Sequence, residues 1–204
     1  KLHDLRRMQA KRAAPERVFP EFNELGADDW KDQLKGITQR MLKAGLRYIA
    51  NEHIDDQGWY PLLTGGLDAL RLLATTEGLE ENFPGLRDPG KVARWLATID
   101  ELRAAIDAKP RRQLSINDAL EVIGRLELAD RDTINLPPGV LYREFGEGAT
   151  YQLAQDFEDQ YTELIWPERL RRFQQQTEGN FVGVGILIRQ NEKREIMVVN
   201  PLEG

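Results

Sequence analysis

Cysteine is absent from this chain. That excludes disulfides, thiolate metal sites and thiol catalysis, and it leaves the redox compartment unread. Serine occurs once, at Ser115, in Gln113-Leu114-Ser115-Ile116-Asn117-Asp118. A serine just ahead of a periodic apolar run, with an acid three residues on, is a helix N-cap. The only serine is therefore spoken for, and the chain taken alone is not a serine hydrolase. Histidine occurs twice, at His3 and His53. His53 precedes Ile54-Asp55-Asp56, and a helix-end histidine followed by an acidic turn reads as structural in preference to a metal site. No apolar run approaches the roughly 18 residues of a membrane span, and no signal peptide is visible. The net charge of −6 comes without a basic stripe, which argues against nucleic acid as a partner. No cofactor motif emerges: Gly65-Gly66 lacks the Lys-Ser/Thr of a phosphate loop and reads as a helix-start turn.

What the chain does contain is a soluble globular balance, 41% hydrophobic against 30% charged. Its 204 residues suffice for one sizeable domain and part of another. Residues 1–25 are charged, with Pro15 and Pro20 in their midst. Asp28-Asp29 then caps an amphipathic helix whose apolar positions are Trp30, Leu34, Ile37, Met41, Ala44, Tyr48 and Ile49. A second helix carries Leu67, Leu70, Leu72 and Leu73, and a third, over 91–108, carries Val92, Trp95, Leu96, Ile99, Leu102 and Ile106. Pro110 stops the third. The fourth follows the Ser115 cap through Leu120, Ile123 and Leu126, and Leu136-Pro137-Pro138-Gly139 is a hinge-like break. A fifth helix starts near Val140 or Glu147. Pro167-Glu168 opens a sixth, with Leu170 and Phe173 inward. The segments Leu62–Leu70 and Leu141–Ala149 echo one another faintly, each placing glycines before a helix. Trp30, Trp59, Trp95 and Trp166 read as core or interface anchors. Carboxylates are plentiful, yet none is marked out as an acid/base pair.

After Gly179 the pattern changes. Phe181–Ile188 is β-branched with period two, Gln190-Asn191-Glu192-Lys193 is a polar turn, and Glu195–Val199 is a second strand. The fold class expected is therefore mainly α: a multi-helix domain over 1–178, with a break near 136–139, then a β-hairpin over 179–204. Because the chain starts at Lys1 and stops just after that hairpin, the expectation is of a second domain cut short and of a true N-terminus further upstream.

The closing region resembles the tail-specific, or C-terminal processing, peptidases, Ser-Lys proteases that carry a PDZ domain. The residues that carry the likeness are Asp159-Gln160-Tyr161-Thr162, Pro167-Glu168, Phe173, Thr177-Glu178-Gly179, Phe181-Val182-Gly183-Val184-Gly185-Ile186 and Val198-Val199-Asn200-Pro201-Leu202-Glu203-Gly204. They cover about 45 residues and are specific as a linked series more than singly. Gln160 stands where the family has proline, and Glu178 is inserted between the Thr and Gly of the family's pair. Gly148-Ala149 is similar to the family's helical Gly-Ala.

The resemblance implies an enzyme that cleaves proteins near their C-termini outside the cytoplasm, in the periplasm or at a membrane. Its PDZ domain captures a C-terminal peptide and gates the active site. The catalytic Ser and Lys would lie beyond Gly204, so no residue of this chain is assigned to catalysis. Gly183, Val184, Gly185 and Ile186 resemble the PDZ carboxylate-binding loop, where glycines let backbone N–H groups converge on a carboxylate and the next strand edge pairs with the peptide. Three readings stand: the non-catalytic front of such a peptidase, with helices for dimerisation or gating; a non-enzymatic helical adaptor with a PDZ-like peptide binder; and a structural helical domain that oligomerises through its unpaired strand edge.

Overall fold

The computed structural model describes residues 31, 33–53, 58–157, 159, 161–177, 186–190 and 196–201. Six α-helices lie among them: α1 (Gln39–Glu52), α2 (Tyr60–Ala74), α3 (Pro89–Asp107), α4 (Ile116–Asp132), α5 (Pro138–Phe157) and α6 (Pro167–Thr177). Short 3-10 turns at Leu79–Glu81, Pro84–Arg87 and Arg111–Gln113 join them. The described chain is mainly helical, as its periodicity predicts. It divides into two compact units, Lys1–Pro167 and Glu168–Gly204.

In the first unit the helix contacts form a circuit, with α1 against α5, α5 against α2, α2 against α3, α3 against α4, and α4 against α1. Helix α2 is the most deeply sunk. Leu62, Leu63, Leu67 and Leu70 have no exposed surface, and Leu73 and Ala69 have almost none. Trp95 from α3, Leu46 from α1, Leu153 from α5 and Trp166 complete the core. Trp59, Trp95 and Trp166 are all buried, as core anchors; Trp30 lies outside the described residues.

The closest approach is between α2 and α5. A Cβ added at Gly65 would meet the Gly148 carbonyl oxygen at 2.4 Å, and one added at Gly148 would meet the Gly65 oxygen at 2.3 Å. The Phe145 ring lies where a side chain on Gly66 would sit, at 2.5 Å. Gly65-Gly66 is thus a notch inside a helix, not the helix-start turn that sequence suggests. Helix α2 already begins at Tyr60, with Pro61 supplying the fixed φ of a first turn. The two faintly similar segments, 62–70 and 141–149, are the two sides of this crossing.

The first predicted helix is also corrected. It does not run unbroken from Trp30 to Ile49: residues 34–36 form a turn, Gly36 has φ +85°, and Thr38 restarts the helix by accepting the Met41 N–H at 3.3 Å. Only glycine enters the left-handed region without steric cost, so it ends one turn and lets a capping residue begin another. The restart changes the phase of the buried face. Leu42, Leu46, Ile49 and Ala50 point inward, whereas Tyr48 is 70% exposed and Ala44 is also exposed.

Helix α3 starts at Pro89, two residues ahead of the start read from sequence, because Asp88 caps it by accepting the N–H groups of Gly90 (2.8 Å) and Lys91 (3.1 Å). Helix α4 starts at the Ser115 cap, where Asp118 accepts the Ser115 N–H and hydroxyl, each at 2.8 Å. Leu120 lies at the surface, and Ala119, Val122, Ile123 and Leu126 form the buried face. The Leu136–Gly139 segment lies within the first unit: Leu136 is buried and its N–H donates to Asp130 Oδ1 at 2.9 Å.

In the second unit, Leu170 and Phe173 of α6 are exposed, 46% and 61%, where sequence places them inward. They are the only large apolar side chains in Pro167–Thr177, too few for a buried stripe. Strands β1 (Ile186–Gln190) and β2 (Ile196–Pro201) pair antiparallel, with a register shift between Leu187 and Ile188. Among the described residues no third strand joins them, so they carry no PDZ assignment by themselves.

Two glycine substitutions separate crossing from propensity. Gly65→Ala forces a methyl group into a backbone oxygen and is expected to cost at least about 2 kcal/mol, seen as a Tm lowered by at least about 4 °C. Gly124→Ala, in α4 with nothing within 4 Å of the new Cβ, is expected to gain about 0.5–1 kcal/mol from helix propensity. Thermal unfolding by circular dichroism reads both.

Candidate functional site

The most organised polar contact in the first unit joins the end of α1 to the segment after α5. His53 is the C-cap of α1, in extended backbone, with its N–H donating to the Ile49 carbonyl at 3.1 Å. Its side chain is 4% exposed, and Nε2 lies 2.7 Å from Asp159 Oδ2. The imidazole ring is tilted 57° against Phe157, with centroids 6.3 Å apart. The other carboxylate oxygen, Asp159 Oδ1, accepts the N–H of Tyr161 at 2.8 Å and of Thr162 at 3.1 Å. This is an Asx turn, the local geometry an Asp favours ahead of two free N–H groups.

Burial by itself pushes the Asp159 carboxyl up. The hydrogen bonds from Thr162, Tyr161 and His53 outweigh it and hold Asp159 well below the usual carboxylate range. It is therefore a fixed anion, with both oxygens engaged. The pair sits beside a hollow of about 240 Å³ whose walls include Tyr48, Glu52, Tyr161, Thr162 and Glu163. Tyr161 is 92% exposed and Tyr48 70%, so two phenol rings stand at the rim of this hollow.

A second polar cluster fastens α4 to α5. Tyr142 donates its hydroxyl to Glu127 Oε1 at 2.8 Å, and the Gln39 side-chain amide donates to the same oxygen. Burial, and then the Glu127 carboxylate, push the Tyr142 phenol up to about 12. Asp130 is buried, and its burial raises the carboxyl to about 6 against the opposing effect of the Leu136 N–H. The Asp130 carbonyl also accepts the Thr133 and Asn135 N–H groups, at 3.1 and 2.7 Å. Asp130 is thus the peg around which the chain turns between the two helices.

These arrangements fix how the chain turns and how its helices are joined. The Ser115 hydroxyl is spent in the α4 cap. Among the described residues no three His, Cys, Asp or Glu side chains are grouped to hold a metal ion. No described helix is long and apolar enough to cross a membrane. Of the four residues assigned to peptide binding from sequence, Gly183, Val184 and Gly185 lie outside the described residues. Ile186 opens β1, opposite Pro201.

The sequence reading of His53 as a structural helix end before the Asp55-Asp56 turn, two acids that lie outside the described residues, missed Asp159, 106 positions away. The available signal was Asp159 followed by Tyr161-Thr162, a turn motif that announces a carboxylate facing its own backbone. Comparison with protein-family models, curated proteins and solved structures finds no match to this chain.

Asp159 and Asp130 respond to pH in opposite senses. Asp159, with its folded pKa depressed, contributes stability above the ordinary carboxylate range that is lost as pH falls through that range toward its folded value. Asp159→Ala also strands two backbone N–H groups and a buried imidazole, and is expected to cost about 2 kcal/mol at pH 7; urea midpoints should show the gap to wild type narrowing on acidification. Asp130, with its folded pKa raised, binds its proton more tightly folded than unfolded, so its stabilising effect is full below about pH 4 and is lost as pH rises to about 6. Asp130→Asn keeps the acceptor for the Leu136 N–H without the charge. It is expected to match wild type at pH 4 and to exceed it by about 1 kcal/mol at pH 7, allowing for solvent screening.

Proposed function

We propose that this chain is the non-catalytic N-terminal part of a serine-type C-terminal processing endopeptidase, acting outside the cytoplasm in the periplasm or at a membrane. The observation that carries the reading is the ordered series from Asp159 through Pro167, Phe173 and Phe181-Val182-Gly183-Val184-Gly185-Ile186 to Pro201. Local geometry is in keeping with it. The Asp-x-Tyr-Thr element has a definite job, since Asp159 turns the chain and ties it to His53. Pro167 is the first residue of α6, and Ile186 and Pro201 face one another across the β1–β2 ladder.

In this reading the helical unit serves dimerisation or substrate gating. Gly183, Val184, Gly185 and Ile186 belong to a carboxylate-binding loop whose N–H groups receive the C-terminus of a protein substrate, and β-strand addition holds the rest of the peptide. The Ser and Lys that cut the chain belong to residues following Gly204. The alternative is a helical scaffold that presents a PDZ-like peptide binder and hydrolyses nothing.

The native protein decides. Its intact mass and the sequence following Gly204 are expected to complete a PDZ domain and to supply both a Ser and a Lys; replacing either by Ala should abolish cleavage of a C-terminally tagged substrate while leaving peptide binding intact. A native protein that carries neither residue overturns the peptidase reading. Peptide binding without hydrolysis in that protein favours the scaffold.

A further inference from the structure

We infer that the hollow beside the His53–Asp159 pair is a docking site for a basic side chain, with an arginine of a partner polypeptide as its occupant. The site lies in the helical unit and is independent of the peptidase reading. Four observations point the same way. The first is size: about 240 Å³ is below the roughly 300 Å³ at which small-molecule pockets begin, and it suits a single side-chain head. The second is the walls. Tyr48 and Tyr161 expose 70% and 92% of their surface, and an open phenol face attracts a cation.

The third is charge. Among the described residues, Glu52 and Glu163 line the hollow with carboxylates, the fixed Asp159 anion lies behind His53, and no described Lys or Arg lines it. Guanidinium suits this mixture better than ammonium, because it stacks flat on an aromatic ring while its edge N–H groups reach a carboxylate. The fourth is that the protein makes the same arrangement internally. The Arg111 guanidinium lies 4.0 Å from the centroid of the Tyr60 ring, whose hydroxyl donates to Asp107 at 2.9 Å. The perch is also stiff. Asp159 holds the N–H groups of Tyr161 and Thr162, so little freedom is left in the backbone to lose when a ligand arrives.

The test uses the whole 204-residue chain and two short probes, acetyl-Gly-Arg-Gly-amide and acetyl-Gly-Gln-Gly-amide, followed by the ring resonances of Tyr48 and Tyr161 and the Thr162 amide. The Arg probe is expected to give saturable shifts at these three places, and the Gln probe none. Tyr161→Ala should weaken binding about five-fold or more, the loss of one cation–π contact. Tyr161→Phe should stay within about two-fold, because the ring face is kept. Glu52→Gln combined with Glu163→Gln should weaken it as well. All replaced side chains are exposed, so far-UV circular dichroism is expected to be unchanged. Equal affinity of wild type and Tyr161→Ala, or shifts spread over other acidic surface, overturns the site. Guanidinium ion binding as tightly as the Arg probe overturns the polypeptide as occupant.

Discussion

Between α2 and α5 two main chains come so close that each carbonyl oxygen, at Gly65 and at Gly148, occupies the place where the other residue's Cβ would be. Most of the first unit is arranged around that contact. It sinks α2 until Leu62, Leu63, Leu67 and Leu70 lose all exposure, sets Phe145 over Gly66, and gives α5 the position from which it also meets α1. Close packing of this kind tolerates no added methyl group, because the obstruction is backbone and cannot rotate aside. Gly146 extends the same logic to the other flank of α5, where the Trp166 ring lies at 2.9 Å from the space a side chain would take. Trp166 then donates its indole N–H to Glu147 at 2.6 Å, which seats the segment after α5 against its own helix.

The polar contacts fix the connections that the core cannot. Asp88, Ser115 with Asp118, Asp130 and Asp159 each satisfy backbone N–H groups or local donors at a helix boundary or turn. Acidic residues suit that task, since a carboxylate can take several donors at once and favours the N-terminal end of a helix. At the surface, Arg103 reaches Asp68 and Asp107 together, joining α2 to α3. Exposed pairs of this type contribute little each. Their effect is to fix how neighbouring helices sit around a core that is already hydrophobic enough to hold.

Asp159 connects fold with surface chemistry. It is at once the cap of a turn, the partner of a buried histidine and the reason Tyr161 is held outward beside Tyr48. A side chain with no burial of its own thereby acquires a defined place. The hollow is a by-product of how α1 ends and how the chain leaves α5, and its acidic and aromatic walls give that by-product a chemical preference.

The order of the helices was legible in the sequence, because caps and breakers act over four or five residues: Ser115 with Asp118, Pro110 and Pro167 each do locally what their chemistry dictates. Core positions in α3 were legible for the same reason, since a single unbroken period runs from Val92 to Ile106. The phase of α1 was not, because Gly36 resets the helix, and Ala44 and Tyr48 turn outward while Leu42 and Leu46 turn inward; the spacing of Leu34, Met41 and Tyr48 looks periodic only if that break is ignored. Nor could a sequence say that Gly65 and Gly148 are partners, or that His53 belongs with Asp159 and not with its neighbours. Those pairings join residues 83 and 106 positions apart. Local chemistry determines what a segment becomes; only the packed tertiary structure decides which distant segment it meets.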